Sequence, residues 1–388
     1  MLHRVYLSPG MFGFTRLASY DYFVHIERAL KDRFAAAGLA TEFHISEILP
    51  TASIRRRANE LAELVKKTSK SGDALHLLGH STGGLDARMV VSPDTHLPKR
   101  AEAERWLPQV KSVTTMNTPH YGTPLASFFA TTKGQQALSA LSAFTVVGLS
   151  LGAKPLAIAS VLIGMLGPKD RSSSIALPIV DRAIESLLGL VDDARSPDVR
   201  KYIEGIKLDQ GAVMQLTPEA MDLFVASCFD RPGIVYQATA SMAPTPKPSS
   251  WLRTLGHPWK AVSLALFTAL HGITGRYDKR YPCAFDAAGS ADDIGHHPDN
   301  EALLARTFAE TPDYDDNDGC VPIRSQLRGK LIWVGLADHL DVLGHYDDET
   351  PEEKPEERHH DWLTSGSRFG DAAFESLMDA VAGGMLKA

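Results

Sequence analysis

One short segment of the chain places a serine between glycines in a pattern that suits nucleophilic chemistry. Residues 79–83 read Gly-His-Ser-Thr-Gly, with the apolar run DALHLLG leading into them and a helical pattern from about residue 85 to 91 after them. A serine on a tight turn between a strand and a helix exposes its hydroxyl above the sheet, at the positive end of the helix dipole. Such a turn needs small residues two positions before and two positions after the serine. We therefore predict that Ser81 is a nucleophile; the alternative is an ordinary glycine- and serine-rich loop.

A serine hydroxyl is a weak nucleophile near neutral pH, so it needs a histidine base that a carboxylate orients. After this kind of turn, the acid and then the histidine follow the serine in the chain. His339 lies in the loop after the apolar run KLIWVG, and His345 is its main rival. The acid is expected in the polar turn DDNDGCVP, where we favour Asp318 and where Asp315 and Asp316 stay open as alternatives.

Attack on a carbonyl also needs two N–H donors for the oxygen that becomes negative. The backbone N–H of Thr82 directly follows the predicted nucleophile. The second donor is expected from the turn-rich loop PGMFG at residues 9–13, with the Met11 N–H as the donor. An ordinary glycine turn is the alternative interpretation of that loop.

The elements that must position these residues alternate between apolar runs and amphipathic stretches. This alternation predicts a parallel sheet that is covered by helices on both faces. Strands are predicted at residues 4–8, 41–45, 73–79, 110–116, 233–238 and 330–335. Helices are predicted at residues 21–37, 54–68, 85–91, 259–271 and 371–385, and the run of arginines at 55–57 is expected to face solvent. Residues 347–361 are expected to form a charged, solvated loop.

Two insertions interrupt the alternation. Residues 125–230 are mostly helical and unusually apolar, and a second insertion covers about residues 241–312. We predict a core of residues 1–124 and 231–388, and a helical cap or lid of residues 125–230. Residues 143–166 resemble a membrane span, but Lys154 and Pro155 divide them into pieces of about a dozen residues, which suit buried or amphipathic helices better.

Composition excludes several classes of protein. The 388 residues are 44% apolar and 22% charged, which is typical of a globular chain and not of a disordered or collagen-like one. The net charge of −7 gives no reason to expect nucleic-acid binding. Three cysteines without a CxxC pair indicate neither a disulfide framework nor a zinc ribbon, although one bridge stays open. No signal peptide is visible, so we expect a soluble protein that is cytoplasmic, or secreted through a signal absent from this chain.

Four separated segments resemble the bacterial true lipases of the α/β-hydrolase superfamily, the group that includes the Pseudomonas and Burkholderia enzymes. The segments and their counterparts are LSPGMFGF for the family's HG-x-x-G oxyanion loop, LHLLGHSTGGLDAR for its GHSxGGLxxR elbow, VTTMNTPHYGTPLA for its TPHxGS signature, and NDGCVPIRSQ with ADHLDVL for its NDG-V and NHLD segments. Pro9 replaces the histidine that usually opens the oxyanion loop, a change that leaves the N–H donor intact.

The resemblance implies an α/β-hydrolase fold, with a mostly parallel central sheet, helices on both faces and a helical cap or lid insertion. It also implies that Ser81 is the nucleophile, Asp318 the acid and His339 the base. The oxyanion-hole amides would then belong to Met11 and Thr82.

A bound metal ion is expected only on the basis of the same resemblance. Asp341 falls where the family has a calcium-ligating aspartate, so the resemblance implies a structural calcium ion that holds the histidine loop in place. The residues after Asp341 do not reproduce the rest of the family's calcium pattern. No cofactor is expected for the chemistry itself.

The expected activity is that of a lipase-like serine carboxylic-ester hydrolase, which cleaves medium- or long-chain acyl esters of the triacylglycerol type through an acyl-enzyme on Ser81. The apolar stretch at residues 136–190 would line an acyl pocket and contact a lipid interface transiently, either as a moving lid or as a packed cap. A short-chain esterase and an acyltransferase on the same triad are the alternatives within this class. A catalytically inactive α/β-hydrolase that serves as a binding module is the alternative outside it. The oligomeric state is left open.

Overall fold

We describe the fold from a computed structural model of the 388-residue chain. The residues that the structure describes are 1–11, 16–17, 20–49, 51–98, 105–151, 156–166, 182, 185–186, 189, 196–252, 254–277, 297–347, 361 and 363–388. Much of the predicted charged loop (348–360), most of residues 167–195, and Phe12 and Gly13 of the oxyanion loop lie outside them.

A parallel sheet forms the centre of the fold. Its strands in the described residues are β1 His3–Ser8, β4 Thr41–Ile45, β5 Ala74–His80, β6 Val110–Met116, β7 Val235–Met242 and β8 Lys330–Leu336. They lie in the order β4-β1-β5-β6-β7-β8, and every neighbouring pair is parallel. A separate two-stranded antiparallel ribbon joins β2 Arg16–Leu17 to β3 Tyr20–Asp21. The predicted parallel sheet is therefore confirmed, and β7 extends two residues into the segment assigned to the second insertion.

Helices cover both faces of this sheet, as the alternating pattern predicted. The helices in the described residues are α1 Val24–Ala36, α2 Ile54–Thr68, α3 Thr82–Val91, α4 Pro124–Phe129, α5 Thr132–Leu151, α6 Leu156–Leu166, α7 Ser196–Leu208, α8 Gly211–Gln215, α9 Pro218–Ser227, α10 Pro248–Leu252, α11 Pro258–Thr274, α12 Asp299–Phe308 and α13 Asp371–Leu386. Helices α1 and α13 pack together on one face, and α2 and α3 pack together on the other.

Alternation along the strands divides the core between the two faces. In β1, Val5 and Leu7 belong to the apolar cluster that contains α1 and α13, whereas Tyr6 belongs to the cluster that contains α2 and α3. All three side chains are fully buried. Successive strand side chains point to opposite faces, so a strand that is covered on both sides can bury consecutive apolar residues, which is why the apolar runs in the sequence do not alternate with polar residues.

The helices between β6 and β7 form a layer with α11, which comes from the second insertion. Helices α4 and α6 both contact α11, and the Phe144 ring of α5 stacks on the Trp259 ring of α11 with 5.7 Å between centroids. Leu138, Leu141 and Phe144 are buried, so in this structure the apolar face of α5 is packed as a core. The predicted lid motion of this layer and the predicted domain boundaries stay predictions.

The expectation of a fully solvated arginine run at 55–57 was wrong for one of the three. Arg55 and Arg56 are exposed on α2, but Arg57 has no exposed surface and forms an ion pair with the equally buried Asp86 of α3. Helical periodicity correctly places Arg57 on the inner side of α2 together with Leu61. A buried guanidinium is tolerated there because a carboxylate on the neighbouring helix pairs with it.

None of the helices in the described part of the chain combines the length and the hydropathy needed to cross a membrane. The apolar stretch 143–166 falls in the two helices α5 and α6, which lie on either side of residues 152–155. Cys228 and Cys320 are buried free thiols, and Cys283 lies outside the described residues.

Candidate active site

The turn between β5 and α3 holds Ser81 in a conformation that few residues adopt. Its backbone dihedral angles are φ 55° and ψ −129°, and it directly precedes the first residue of α3. The backbone of a residue other than glycine is strained at a positive φ, and such strain persists only where the surrounding structure imposes it. The Ser81 N–H donates to the carbonyl of Met116 at 2.8 Å, which ties the turn to the end of β6.

Close packing explains the two glycines that flank the serine. A Cβ atom on Gly79 would lie 2.1 Å from the backbone of Gly83, and a Cβ on Gly83 would lie 1.9 Å from the carbonyl oxygen of Ser8. Both distances are far below van der Waals contact. The sequence-based expectation that these positions must be small is therefore confirmed in geometry, and it follows from how closely β1, β5 and α3 approach one another.

Asp318 and His339 meet at the carboxyl edge of the sheet. His339 Nδ1 lies 2.7 Å from Asp318 Oδ2, and the His339 backbone N–H donates to the Asp318 carbonyl oxygen at 2.9 Å. An ionised carboxylate only accepts, so this bond places the imidazole proton on Nδ1 and leaves Nε2 as the proton acceptor. The ring of His339 lies 4.6 Å, centroid to centroid, from that of His80, the residue before Ser81.

The Asp318 carboxylate is fully buried and surrounded by donors. Oδ1 accepts from the backbone N–H groups of Cys320 and Val321, at 2.9 and 2.7 Å. Oδ2 accepts from the Asn117 side-chain amide at 2.9 Å and from that of Gln326 at 3.3 Å, in addition to His339. This many hydrogen bonds compensate the ionised carboxylate for its lost hydration and fix its orientation toward the imidazole.

The alternatives left open by the sequence lie elsewhere. Asp315 is exposed, and the Asp316 carboxylate accepts from the backbone N–H of Asp313 at 2.8 Å. His345 lies edge-on to the ring of His25, 6.0 Å between centroids. Of these carboxylates and histidines, the structure brings Asp318 and His339 together.

The loop after β1 reaches Ser81 at Gly10. A Cβ atom on Gly10 would lie 2.8 Å from the Ser81 Cβ and 3.0 Å from the hydroxyl of Tyr22, so only glycine allows this approach. Met11 follows and is buried, and Thr82 begins α3 on the other side of the serine. The structure thus brings Gly10, the residue before the predicted donor Met11, against Ser81, while the other predicted donor, Thr82, directly follows the serine in the chain.

The buried ion pair between α2 and α3 also holds this loop. The Arg57 guanidinium donates to both Asp86 carboxylate oxygens, at 3.1 and 2.9 Å from Nε, and to the carbonyl oxygen of Pro9. The Ser8 hydroxyl donates to Asp86 at 2.7 Å. The last residue of β1 and the first residue of the loop are therefore both bonded to one buried charge pair, which fixes the approach of Gly10 to the serine.

Three aspartates lie close together behind the histidine loop. Asp341, in the 3-10 turn Asp341–Leu343, accepts from the Asp338 backbone N–H at 2.8 Å and from the Ser367 hydroxyl at 2.7 Å. Burial, together with the negative charges of the neighbouring carboxylates, raises the pKa of Asp338 to about 7 and that of Asp361 to about 7, and it raises the pKa of Asp341 well above its ordinary value.

The donor types of this cluster suit a hard divalent cation, because carboxylate oxygens are the ligands that calcium prefers. One oxygen of Asp338 and one of Asp361 are buried without a hydrogen-bond partner in the described residues. As the side chains stand, no group of three or more His, Cys, Asp or Glu residues in the described ranges is arranged to hold a metal ion. The cluster therefore fits calcium in donor chemistry and in its unpartnered oxygens, and it would have to contract around the ion.

Asn117 and Gln326 are two further residues of the site, and no sequence motif predicted a role for either of them. Asn117 follows β6 and has a positive φ of 48°, and its amide also donates to Ser241 Oγ at 2.6 Å. Gln326 spans from the Asp318 carboxylate to the backbone of β7, where its Oε1 accepts from the Ser241 N–H. A usable signal for Asn117 was its place at the end of a predicted strand next to β5, since polar residues at strand ends gather at one edge.

Comparisons with known proteins bear on the fold. No protein-family model matches the chain, and no curated protein sequence matches it. Among solved structures, EstA from Clostridium botulinum is 17% identical with a TM-score of 0.51, over 98% of this chain and 87% of that one. Lipase 1 from Pelosinus fermentans is 16% identical with a TM-score of 0.48, over 98% of both chains. The Staphylococcus hyicus lipase is 16% identical with a TM-score of 0.45, over 99% of this chain and 96% of that one.

The likeness to EstA extends over nearly the whole chain and shows that the two proteins share a fold. The six parallel strands with helices on both faces agree with the predicted sheet architecture, and the assignment to the α/β-hydrolases stays a prediction. The narrower resemblance to the Pseudomonas and Burkholderia enzymes stays a prediction.

The geometry predicts which carboxylate serves His339. Asp318→Asn keeps the shape of the side chain but removes the charge that orients the imidazole, so kcat for p-nitrophenyl butyrate should fall by roughly 10³- to 10⁴-fold. Asp315→Asn and Asp316→Asn are matched controls, and each should stay near the wild-type kcat. Steady-state kinetics on the three variants checks this, and a large loss in Asp316→Asn with normal turnover by Asp318→Asn would contradict it.

Proposed function

We propose that this chain is a serine carboxylic-ester hydrolase that works through an acyl-enzyme on Ser81. The observation that carries the proposal is the buried Asp318–His339 pair, whose imidazole lies 4.6 Å from that of His80, the residue before a serine held at positive φ on a strand-to-helix turn. Structural ion pairs also occur in cores, but here the pair lies at the carboxyl edge of a parallel sheet, where ligands of such sheets bind.

The mechanism follows from the positions of these groups. Ser81 Oγ attacks the ester carbonyl carbon while His339 Nε2 takes the hydroxyl proton, and the carbonyl π electrons move to oxygen. The Met11 and Thr82 N–H groups stabilise that oxyanion. The tetrahedral intermediate then expels the alkoxide, which receives the proton from His339 and leaves as the alcohol.

Deacylation repeats the sequence with water in place of the serine. His339 takes a proton from water as its oxygen attacks the acyl carbon, and the proton then passes to Ser81 Oγ as the carboxylic acid leaves. Asp318 accepts the hydrogen bond from His339 Nδ1 throughout and stabilises the imidazolium that forms twice in each cycle. Its buried position, with hydrogen bonds from Asn117 and Gln326, keeps it from rotating away.

Medium- or long-chain acyl esters, of the triacylglycerol type, are the substrates that the surroundings favour. A single apolar cluster includes Met11 and Leu340, next to the proposed site, and also Leu138, Phe144 and Leu162 of the cap helices. An acyl chain attached to Ser81 would lie against apolar side chains of this cluster once the cap helices move apart. Burial of each methylene of such a chain contributes about 0.8 kcal/mol. A cap that moves aside at a lipid interface is part of this proposal.

A chain-length series tests the proposal. Hydrolysis of p-nitrophenyl esters from C2 to C16 should peak at C8 or longer, because each added methylene of the acyl chain is buried against the apolar cluster. Ser81→Ala should fall to background at every length, whereas Ser227→Ala, an exposed serine on α9, should match the wild type. A peak at C2–C4 would indicate a short-chain esterase. Folded protein that turns over no ester would favour the acyltransferase or the inactive binding module.

For the cofactor, we infer that Asp338, Asp341 and Asp361 hold a structural calcium ion. When bound, the ion neutralises the buried carboxylates and holds the loop that carries His339, and it takes no part in the chemistry. The support is the crowding of three acids, Asp338 and Asp341 buried and Asp361 half-buried, whose charged forms desolvation and mutual repulsion disfavour.

Calcium should therefore stabilise the fold in a pH-dependent way. Carboxyl groups whose pKa is raised in the folded state contribute stability below their ordinary pKa of about 4 and lose it as pH rises toward 7. In EDTA the melting temperature should fall across that range, and Ca²⁺ at about 100 times its Kd should restore about 2.7 kcal/mol at pH 8. Asp361→Asn should weaken the response, and the exposed Asp222→Asn should not. Identical melting curves with Ca²⁺ and with EDTA would contradict the site.

A further inference from the structure

Two buried side chains outside the proposed triad connect its separate segments. The Tyr22 hydroxyl lies 2.7 Å from His80 Nδ1, and His80 Nε2 lies 2.9 Å from the backbone carbonyl oxygen of His339. The Gly10 backbone N–H donates to the Tyr22 hydroxyl oxygen. Both Tyr22 and His80 are buried, and His80 directly precedes Ser81 in the chain.

The direction of each hydrogen bond in this connection can be assigned. A carbonyl oxygen only accepts, so His80 Nε2 carries a proton and donates a hydrogen bond to the backbone carbonyl oxygen of His339. In a neutral imidazole the lone pair is then on Nδ1, which accepts from the Tyr22 hydroxyl. The Tyr22 oxygen still has a lone pair free for the Gly10 N–H. Every donor therefore faces an acceptor along the path Gly10–Tyr22–His80–His339.

The path joins three chain segments that must be in register for catalysis. Gly10 belongs to the loop of the proposed oxyanion donor Met11, His80 adjoins the nucleophile, and His339 is the base. His339 is consequently held at its N–H and its Nδ1 by Asp318, and at its carbonyl oxygen by His80. With backbone and ring both bonded, the imidazole has little freedom to swing away from the serine.

The charge state of His80 suits this role. Burial, followed by the neighbouring His339, moves the pKa of His80 well below its ordinary value, so the ring is neutral. A neutral ring with its proton on Nε2 is what the assigned bonds require. A cationic ring 4.6 Å from His339 would oppose the imidazolium that forms there during the reaction.

We propose that Tyr22 and His80 are positioning residues that hold the oxyanion loop, the nucleophile and the base in register through the hydrogen-bond path Gly10–Tyr22–His80–His339. The inference rests on the proposed ester hydrolase function and deepens it. It gives a role to the histidine of the Gly-His-Ser-Thr-Gly segment, which the triad itself leaves without one.

Tyr22→Phe tests the path with a minimal change of shape. It removes the hydroxyl that bonds both Gly10 and His80, so kcat for p-nitrophenyl butyrate should fall roughly tenfold while KM stays within about twofold. Tyr6→Phe is the matched control, because Tyr6 is equally buried and its hydroxyl bonds Thr68 on the far side of β1. Both of its kinetic constants should match the wild type.

Replacing His80 separates positioning from packing. His80→Leu removes the donor to the His339 carbonyl, and kcat should fall roughly 100-fold because the base is misplaced. His80→Gln keeps an N–H donor at a similar reach and should recover most of that loss. Thermal melting of each variant verifies that it folds, and Tyr22→Phe carries the test if His80→Leu does not fold.

The outcomes distinguish this inference from the function on which it rests. Wild-type turnover that Ser81→Ala abolishes, with wild-type kcat in Tyr22→Phe or equal kcat in His80→Leu and His80→Gln, would overturn the positioning role alone. A loss expressed as a raised KM with unchanged kcat would overturn it too. No turnover by the folded wild type would overturn the proposed function, and the positioning role with it.

Discussion

The left-handed backbone of Ser81 is the constraint on which the rest of the site depends. It exists because β5 ends and α3 begins without a connecting loop, so the chain must reverse within one residue. The reversal is possible only where Gly79 and Gly83 can touch, at a distance that excludes any Cβ atom. The strain in that turn is maintained by the packing of the sheet and helices around it, which links the large hydrophobic core to the position of one hydroxyl.

The surrounding loops are held by buried polar contacts, one set around the Arg57–Asp86 charge pair and another around the Asp318 carboxylate. Arg57 and Asp86 fix the loop after β1 from behind, and backbone and side-chain amides fix Asp318 from several sides. A buried charge is costly unless it is fully hydrogen-bonded, so each of these groups is stable in one orientation only. The site is thereby preorganised before any substrate arrives, which is the condition for effective electrostatic stabilisation of a transition state.

Much of the fold could be predicted from the sequence because apolar periodicity is a local signal. Strands β4 and β6 and helix α2 have the predicted bounds, and the other predicted elements differ by a few residues at their ends. The pairing of Asp318 with His339 was also expected, from the order of serine, acid and histidine in the chain and from the place of His339 after the last strand. Their catalytic roles, and those of Ser81, Met11 and Thr82, stay predictions.

What could not be predicted is set by tertiary contact. Arg57 stands in the same charged run as Arg55 and Arg56, and only the approach of Asp86 from another helix makes its burial on the inner face of α2 tolerable. Tyr22 and His80 are connected to the proposed base only through the carbonyl oxygen of His339, which lies 259 positions after His80 in the chain. Likewise, α11 of the second insertion packs against α4 and α6 of the first, and the sequence of neither insertion contains a signal for that contact.

Covalent labelling tests the central claim most directly. The folded wild-type protein is incubated with a fluorophosphonate, and intact-mass measurement is followed by peptide mapping of the adduct. The account predicts one phosphonyl group per chain, on Ser81, and its absence from Ser81→Ala. An unlabelled wild-type protein, or an adduct on any other residue, would contradict the assignment of Ser81 as an activated nucleophile.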